Sequence, residues 1–154
     1  METKTETSVE RELAIDASPE TVWEFLVDEE KMTRWFGSQA SLDPRPGGRY
    51  RVDVIAGHVA SGEFVEVERP RRLVWTFGWE PEGSDPNPVT PGSSTIEIEL
   101  EPSGTGTILK FRHYGLPGAE TARAHAHGWD HYLARLVIAG RGQDPGEDRG
   151  PEGM

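Results

Sequence analysis

HAHGWDHYLARL, His125 to Leu136, decides how the rest of this chain folds. Trp129, Tyr132, Leu133 and Leu136 fall at helical spacing, and His125 stands one turn before Trp129 on the same side. The stretch therefore reads as the apolar stripe of a helix from Ala119 to about Ala139, set off by the break at Gly115 to Gly118. Its histidines invite a metal reading, because His127 and His131 are four residues apart on one face with Asp130 adjacent. Yet His125 and His127 lie about 200° apart around a helix axis, so the three rings cannot meet at one centre. The expectation is no metal site, with His125 on the same side of the helix as Trp129.

A helix of about 20 residues is roughly 30 Å long, and the chain before it supplies what such a helix can cover. Val9, Arg11, Leu13 and Ile15 alternate with Glu10, Glu12 and Ala14, the period of a strand. Ser18-Pro19 then gives an N-cap followed by the residue best suited to the first helical position, and Val22, Trp23, Phe25 and Leu26 form the stripe of a short helix. A second short helix runs from Glu29 to Trp35 and ends at Gly37. After it the period returns to two in SQASLD, in RYRVDVI, in the segment His58 to Glu68 with Gly62 marking a bulge or a close backbone approach, and in LVWTFGW. Glu80 to Ser94 is rich in proline and reads as a long loop, and TIEIELE and TILKFRHY form a hairpin around SGTG. Half-buried antiparallel strands need a cover, so the sheet should curl around the last helix. A strongly bent sheet cannot touch a helix along its whole length, and a cavity lined by apolar side chains is the natural by-product.

Composition narrows the function. With 154 residues the chain has room for one domain with a real core. Residues 1–8 read as a flexible arm, 9–139 as the domain, and 140–154, polar and Gly-rich, as a disordered tail. The absence of cysteine removes disulfides and thiolate chemistry. A net charge of −11, with PRR at Pro70 to Arg72 as the densest basic spot, argues against nucleic acid and against an anionic membrane surface. The longest wholly apolar run, Leu136 to Ala139, falls far short of a membrane span, and METKTETSVERE lacks the features of a secretory signal, so the expected location is the cytoplasm.

Four segments carry a family resemblance: IDASPETVWEFLVDEEKMTRWFG, PGGRYRV, GEFVEVERPRRLVWTFGW and HAHGWDHYLARL. In this order they resemble the START-like, Bet v 1-like superfamily (SRPBCC), in the AHSA1-like branch similar to the C-terminal domain of the activator of Hsp90 ATPase. The resemblance covers nearly everything from Val9 to Ala139, and its H-x-x-G-W pattern, matched by His125 and Trp129, implies that these two turn toward the sheet while His127 and His131 face water. It implies an α+β helix-grip fold: a curved antiparallel sheet of six or seven strands around a long C-terminal helix, with two short helices after the first strand and a hydrophobic cavity beneath the last helix. It implies no single reaction, since relatives of this kind include carriers, polyketide cyclases and co-chaperone domains.

Cavity-facing candidates follow. Trp75, Phe77 and Trp79 share one strand face with Leu73 and either line the cavity or fill the core. Trp35 and Phe36, at the end of the short helices, are an entrance gate or a plug. Tyr50, Val52, Phe111 and His113 lie on inward strand faces, and His125, Trp129 and Leu133 on the inward helix face, although a register shift of one residue would turn any strand position outward. No carboxylate pair and no nucleophile elbow stands out. The leading expectation is a binder of a small hydrophobic molecule without a cofactor. The alternative is a cofactor-independent enzyme of the polyketide cyclase type, with His125 or His113 as acid or base. A chaperone-regulating module comes last, because the chain starts without the additional N-terminal domain of such a co-chaperone. Exposed sheet edges in relatives pair as homodimers, which makes a second copy of the chain a candidate partner.

Overall fold

The computed structural model of the chain describes residues 7–55, 58–81, 89–148 and 150. Within them the elements run β1 (Val9–Ile15), α1 (Pro19–Val27), α2 (Glu29–Met32), β2 (Gln39–Leu42), β3 (Arg49–Ile55), β4 (His58–Glu68), β5 (Arg72–Trp79), β6 (Ser94–Ser103), β7 (Gly106–Tyr114) and α3 (Ala119–Gly140). The strands form one sheet in the order β1-β7-β6-β5-β4-β3-β2, with every neighbouring pair antiparallel. The alternation predicts this antiparallel sheet with a covering helix, and it is the helix-grip fold that the resemblance implies.

Local chemistry accounts for the connections. The Ser18 side chain accepts from the Thr21 N–H at 3.3 Å, and Pro19 opens α1. Asp28 caps α2, its carboxylate accepting from the Lys31 N–H at 3.0 Å. The second helix is shorter than the sequence suggests: after Met32 the chain turns, and Gly37 takes a φ of +87° where an added Cβ would meet Val52 Cγ1 at 2.5 Å. That turn lays Trp35 and Phe36 into the core, with the Trp35 indole donating to the Phe25 carbonyl at 2.9 Å.

Two irregularities bend the sheet. The register shifts between Phe64 and Glu66 against β5, and between Asp53 and Ile55 against β4. At Gly62 the feature is a close approach, since a Cβ there would lie 1.9 Å from the Thr76 carbonyl oxygen. The concave face carries the core, including Tyr50, Val52, Phe64, Trp75, Ile98, Leu109 and Phe111. The convex face carries charge pairs such as Arg72 with Glu66 at 2.6 Å and with Glu99 at 2.8 Å. Arg11 reaches from β1 to Asp130 of α3 with both Nε and Nη2, at 2.7 and 3.2 Å, pinning the helix over the first strand.

Parts of both chain ends make contacts with the domain. Of the expected arm, residues 1–6 lie outside the described residues, while the Thr7 carbonyl accepts from the Leu116 N–H at 3.3 Å. Of the expected disordered tail, residues 149 and 151–154 lie outside them too, residues 141–144 are exposed, and Pro145 and Asp148 reach back to α3. Arg135, only 9% exposed, donates to the Pro145 carbonyl at 3.4 Å, and Asp148 accepts from His131 Nε2 at 2.9 Å. A polar composition leaves little apolar surface to bury, and here buried polar partners on α3 hold the segment instead. His131 is therefore not turned to water; it is engaged by the tail.

Candidate functional site

The sheet and α3 enclose a pocket of about 310 Å³ near one end of the helix. Its walls are largely aromatic: Phe36 after α2, Phe77 and Trp79 of β5, and Trp129 and Tyr132 of α3. Val54, Ile55 and His58 close it from the ends of β3 and β4, and Ala124, His125 and Gly128 from the first half of α3. A larger concavity of about 1130 Å³ adjoins it, sharing Val54 and Ile55, and lies between α1, the end of α3 and residues 142–148. That groove mixes charged groups, among them Lys31, Arg34, Asp53 and Asp144, with apolar ones such as Phe25 and Val54, whereas the smaller pocket has the predominantly apolar, aromatic lining that holds small molecules.

His125 on the pocket wall and the buried His113 behind it are joined to the indoles around them, and these hydrogen bonds fix both tautomers. The Trp79 indole donates to His125 Nε2 at 3.1 Å, so that nitrogen carries no proton. His125 Nδ1–H then donates to the Thr121 carbonyl one turn back, at 2.9 Å. Behind it, the Trp129 indole donates to His113 Nδ1 at 3.0 Å. The proton of His113 is thus on Nε2, which donates to Ser94 Oγ at 2.8 Å, and the Ser94 hydroxyl donates to the Phe77 carbonyl at 2.7 Å. Every donor and acceptor in this buried chain is used. Burial, and then the neighbouring His125, push His113 down to about 3, and burial likewise lowers His125. Both rings are neutral at ordinary pH.

The sequence-derived candidates divide by depth. Phe36, Phe77, Trp79, His125 and Trp129 stand on the pocket wall. Trp35 lies behind Phe36, with ring centroids 5.3 Å apart, and Phe111 lies behind Trp129 at 4.7 Å. His113, wholly buried, backs Phe77 and Trp129 without lining the pocket. Tyr50, Val52, Trp75 and Leu133 belong to the packed core, where Tyr50 stacks on Trp75 at 5.1 Å and fills what a larger hollow would have left open. The Tyr50 hydroxyl and the Trp75 indole N–H have no hydrogen-bond partner among the described residues, and burial raises the Tyr50 pKa far above its usual value. The three histidines of α3 are dispersed: His125 is at the pocket, His127 is exposed, and His131 is on Asp148. No group of three or more metal-ligating side chains gathers among the described residues.

Val54, Ile55, His58, Ala124, Gly128 and Tyr132 are wall residues that sequence reasoning did not select. Two had a signal. Val54 continues the inward face of Tyr50 and Val52, and Tyr132 follows Trp129 by three residues on the same helix stripe. Ile55 and His58 flank a strand connection and carry no periodic mark.

A bent antiparallel sheet gripping a C-terminal helix over an aromatic pocket defines the class: a helix-grip protein of the START-like, Bet v 1-like type. The chain belongs to the family described as Activator of Hsp90 ATPase homolog 1-like protein, whose family model matches residues 16–139. Among solved structures it is similar to the AHSA1-like protein of Rhizobium etli, with 44% identity over 92% of this chain and 86% of the other, at a TM-score of 0.71. CalU16 from Micromonospora echinospora is 27% identical over 84% of this chain and 73% of its own, at a TM-score of 0.66. The Aha1 dimer from Colwellia psychrerythraea shares the fold at a TM-score of 0.71, with 19% identity over 86% of this chain and 94% of its own. No curated protein matches the chain. No helix among the described residues is long and apolar enough to cross a membrane.

Proposed function

We propose that the protein binds a small, largely hydrophobic molecule in the pocket between β5 and α3. One observation carries the reading: a pocket of about 310 Å³ walled by five aromatic side chains remains open in an otherwise densely filled core. Aromatic walls favour a flat ligand, because offset stacking and edge contacts add to simple burial. The reading takes the protein to be cytoplasmic and to need no cofactor. Binding is favoured over acid or base catalysis by the state of the histidines. Each lone pair that could take a proton already accepts from an indole N–H, and protonation is opposed by burial. The Colwellia protein is a dimer, and for this chain a second copy is a candidate partner, with β1 and β2 as the edge strands open to pairing.

The test uses a neutral naphthylamine fluorophore and the variant Ala124→Phe, which places a ring at the pocket mouth. The parent protein is expected to enhance the probe's fluorescence saturably, and the variant to weaken binding about tenfold or more while melting at an unchanged temperature. Equal binding by both proteins would remove the pocket as the site. Native mass spectrometry of protein from its own host would then identify any ligand that copurifies.

A further inference from the structure

The family model stops at residue 139, and the described residues beyond it do not hang free. Asp148 makes the decisive contact. Its Oδ1 accepts from His131 Nε2 at 2.9 Å and from the Gly150 N–H at 2.8 Å, and its side chain is only 17% exposed. Oδ2 is buried, as is the neighbouring Tyr132 hydroxyl, and neither has a hydrogen-bond partner among the described residues. Arg135 supplies the reason for a carboxylate here. Its guanidinium is buried and donates to three carbonyls, those of Trp35, Arg34 and Pro145, none of which carries charge. Asp148 provides the opposite charge, and the attraction is mutual: against the effect of burial, the hydrogen bonds from His131 and Gly150, then the neighbouring Tyr132 hydroxyl and Arg135, hold the carboxyl of Asp148 below its ordinary range.

The residues that this carboxylate touches lead to the pocket. Tyr132 is a pocket wall; its ring meets His131 at 4.7 Å on one side and Phe36, a second wall, edge-on at 5.0 Å on the other. Gly150 packs against Ile55, a third wall, so closely that a Cβ would come within 2.9 Å of Ile55 Cδ1. Arg135 holds the backbone at Arg34 and Trp35, directly before Phe36. We infer that Asp148 is a positioning residue of the ligand pocket: the segment after α3 is a brace that sets Tyr132, Ile55 and Phe36, and so determines how readily a ligand enters and leaves. The inference rests on the binding reading above, but its structural half can be tested without a ligand.

Asp148→Ala removes the charge and both acceptor oxygens, and Asp148→Asn keeps Oδ1 as an acceptor, which preserves a folded protein if the alanine variant fails to fold. Nuclear magnetic resonance on both should show displaced indole N–H signals of Trp129 and Trp79 and altered ring-nitrogen shifts of His131, with the larger change in the alanine variant. With the naphthylamine fluorophore, dissociation should accelerate about five- to tenfold at a temperature well below melting. A chain cut after Gly140 should behave like the alanine variant. Unmoved indole signals in the folded variants would overturn the inference whether or not the probe binds. A parent protein that ignores the probe, while the variants still displace the indole signals, would discard the binding reading and leave the brace standing. Moved signals with an unchanged dissociation rate would overturn its control of ligand exchange.

Discussion

Trp129→Ala should lower the melting temperature by about 10–20 °C, the largest loss expected from any single pocket residue. Three costs coincide at this side chain. It is 4% exposed and packs against Phe36, Phe77 and Phe111 with ring centroids 5.2, 5.8 and 4.7 Å away, so truncation opens a void between sheet and helix. Such Trp to Ala changes cost about 3–5 kcal/mol. Its indole is also the donor to His113 Nδ1, and deleting it leaves a buried acceptor unpaired at a further cost of about 1–3 kcal/mol. Domains of this size hold only about 5–15 kcal/mol in total, so the variant should be near its limit at ordinary temperature. Trp129→Phe, which keeps most of the ring but loses the N–H, should fall between parent and alanine variant. Calorimetry on the three proteins checks the order, and an alanine variant melting within about 3 °C of the parent would contradict the packing described.

Acid should destabilise the protein well before its carboxylates are titrated. His113 has an ordinary pKa of 6.5 in the unfolded chain and about 3 in the folded one. Between those values the unfolded state binds a proton that the folded state refuses, so stability falls as pH falls, by about 1.4 kcal/mol for each pH unit. From pH 6.5 to 4.5 the loss from this ring alone is roughly 2–3 kcal/mol. His125 is lowered as well and acts with the same sign. Asp148 is a depressed carboxylate, whose contribution is lost only as pH drops below the ordinary value of 3.8, outside most of this window. His113→Gln offers an acceptor to Trp129 and a donor to Ser94 without titrating. Urea unfolding at pH 7.5 and 4.5 should therefore show a pH-dependent loss smaller by about 2–3 kcal/mol in the variant than in the parent. Identical losses in the two proteins would mean that His113 is protonated freely in the folded state.

Both predictions depend on residues whose role was only partly legible beforehand. Strand alternation put His113, Phe111, Phe77 and Trp75 on the inward face, and the concave side of the sheet does carry them. Helical spacing likewise turned Trp129 and Leu133 toward the sheet. What periodicity could not supply was depth. Trp75 and Phe77 share a strand face and differ by one pleat, yet Phe77 meets the pocket while Trp75 is sealed beneath Tyr50 and Phe64. The difference arises because the register shift between Phe64 and Glu66 bends the sheet, a property of two strands together.

The order of the elements, the inward and outward faces of each strand and the stripe of α3 were determined by the sequence itself, because period, caps and turn residues act over a few neighbouring positions. Only the tertiary structure decided which inward side chains stop short of one another to leave a pocket. It alone brought Asp148 back onto His131, a contact spanning 17 positions along the chain. Polar, Gly-rich composition has no local preference for such a place; the segment is held there by a buried guanidinium and an imidazole that the fold had already positioned.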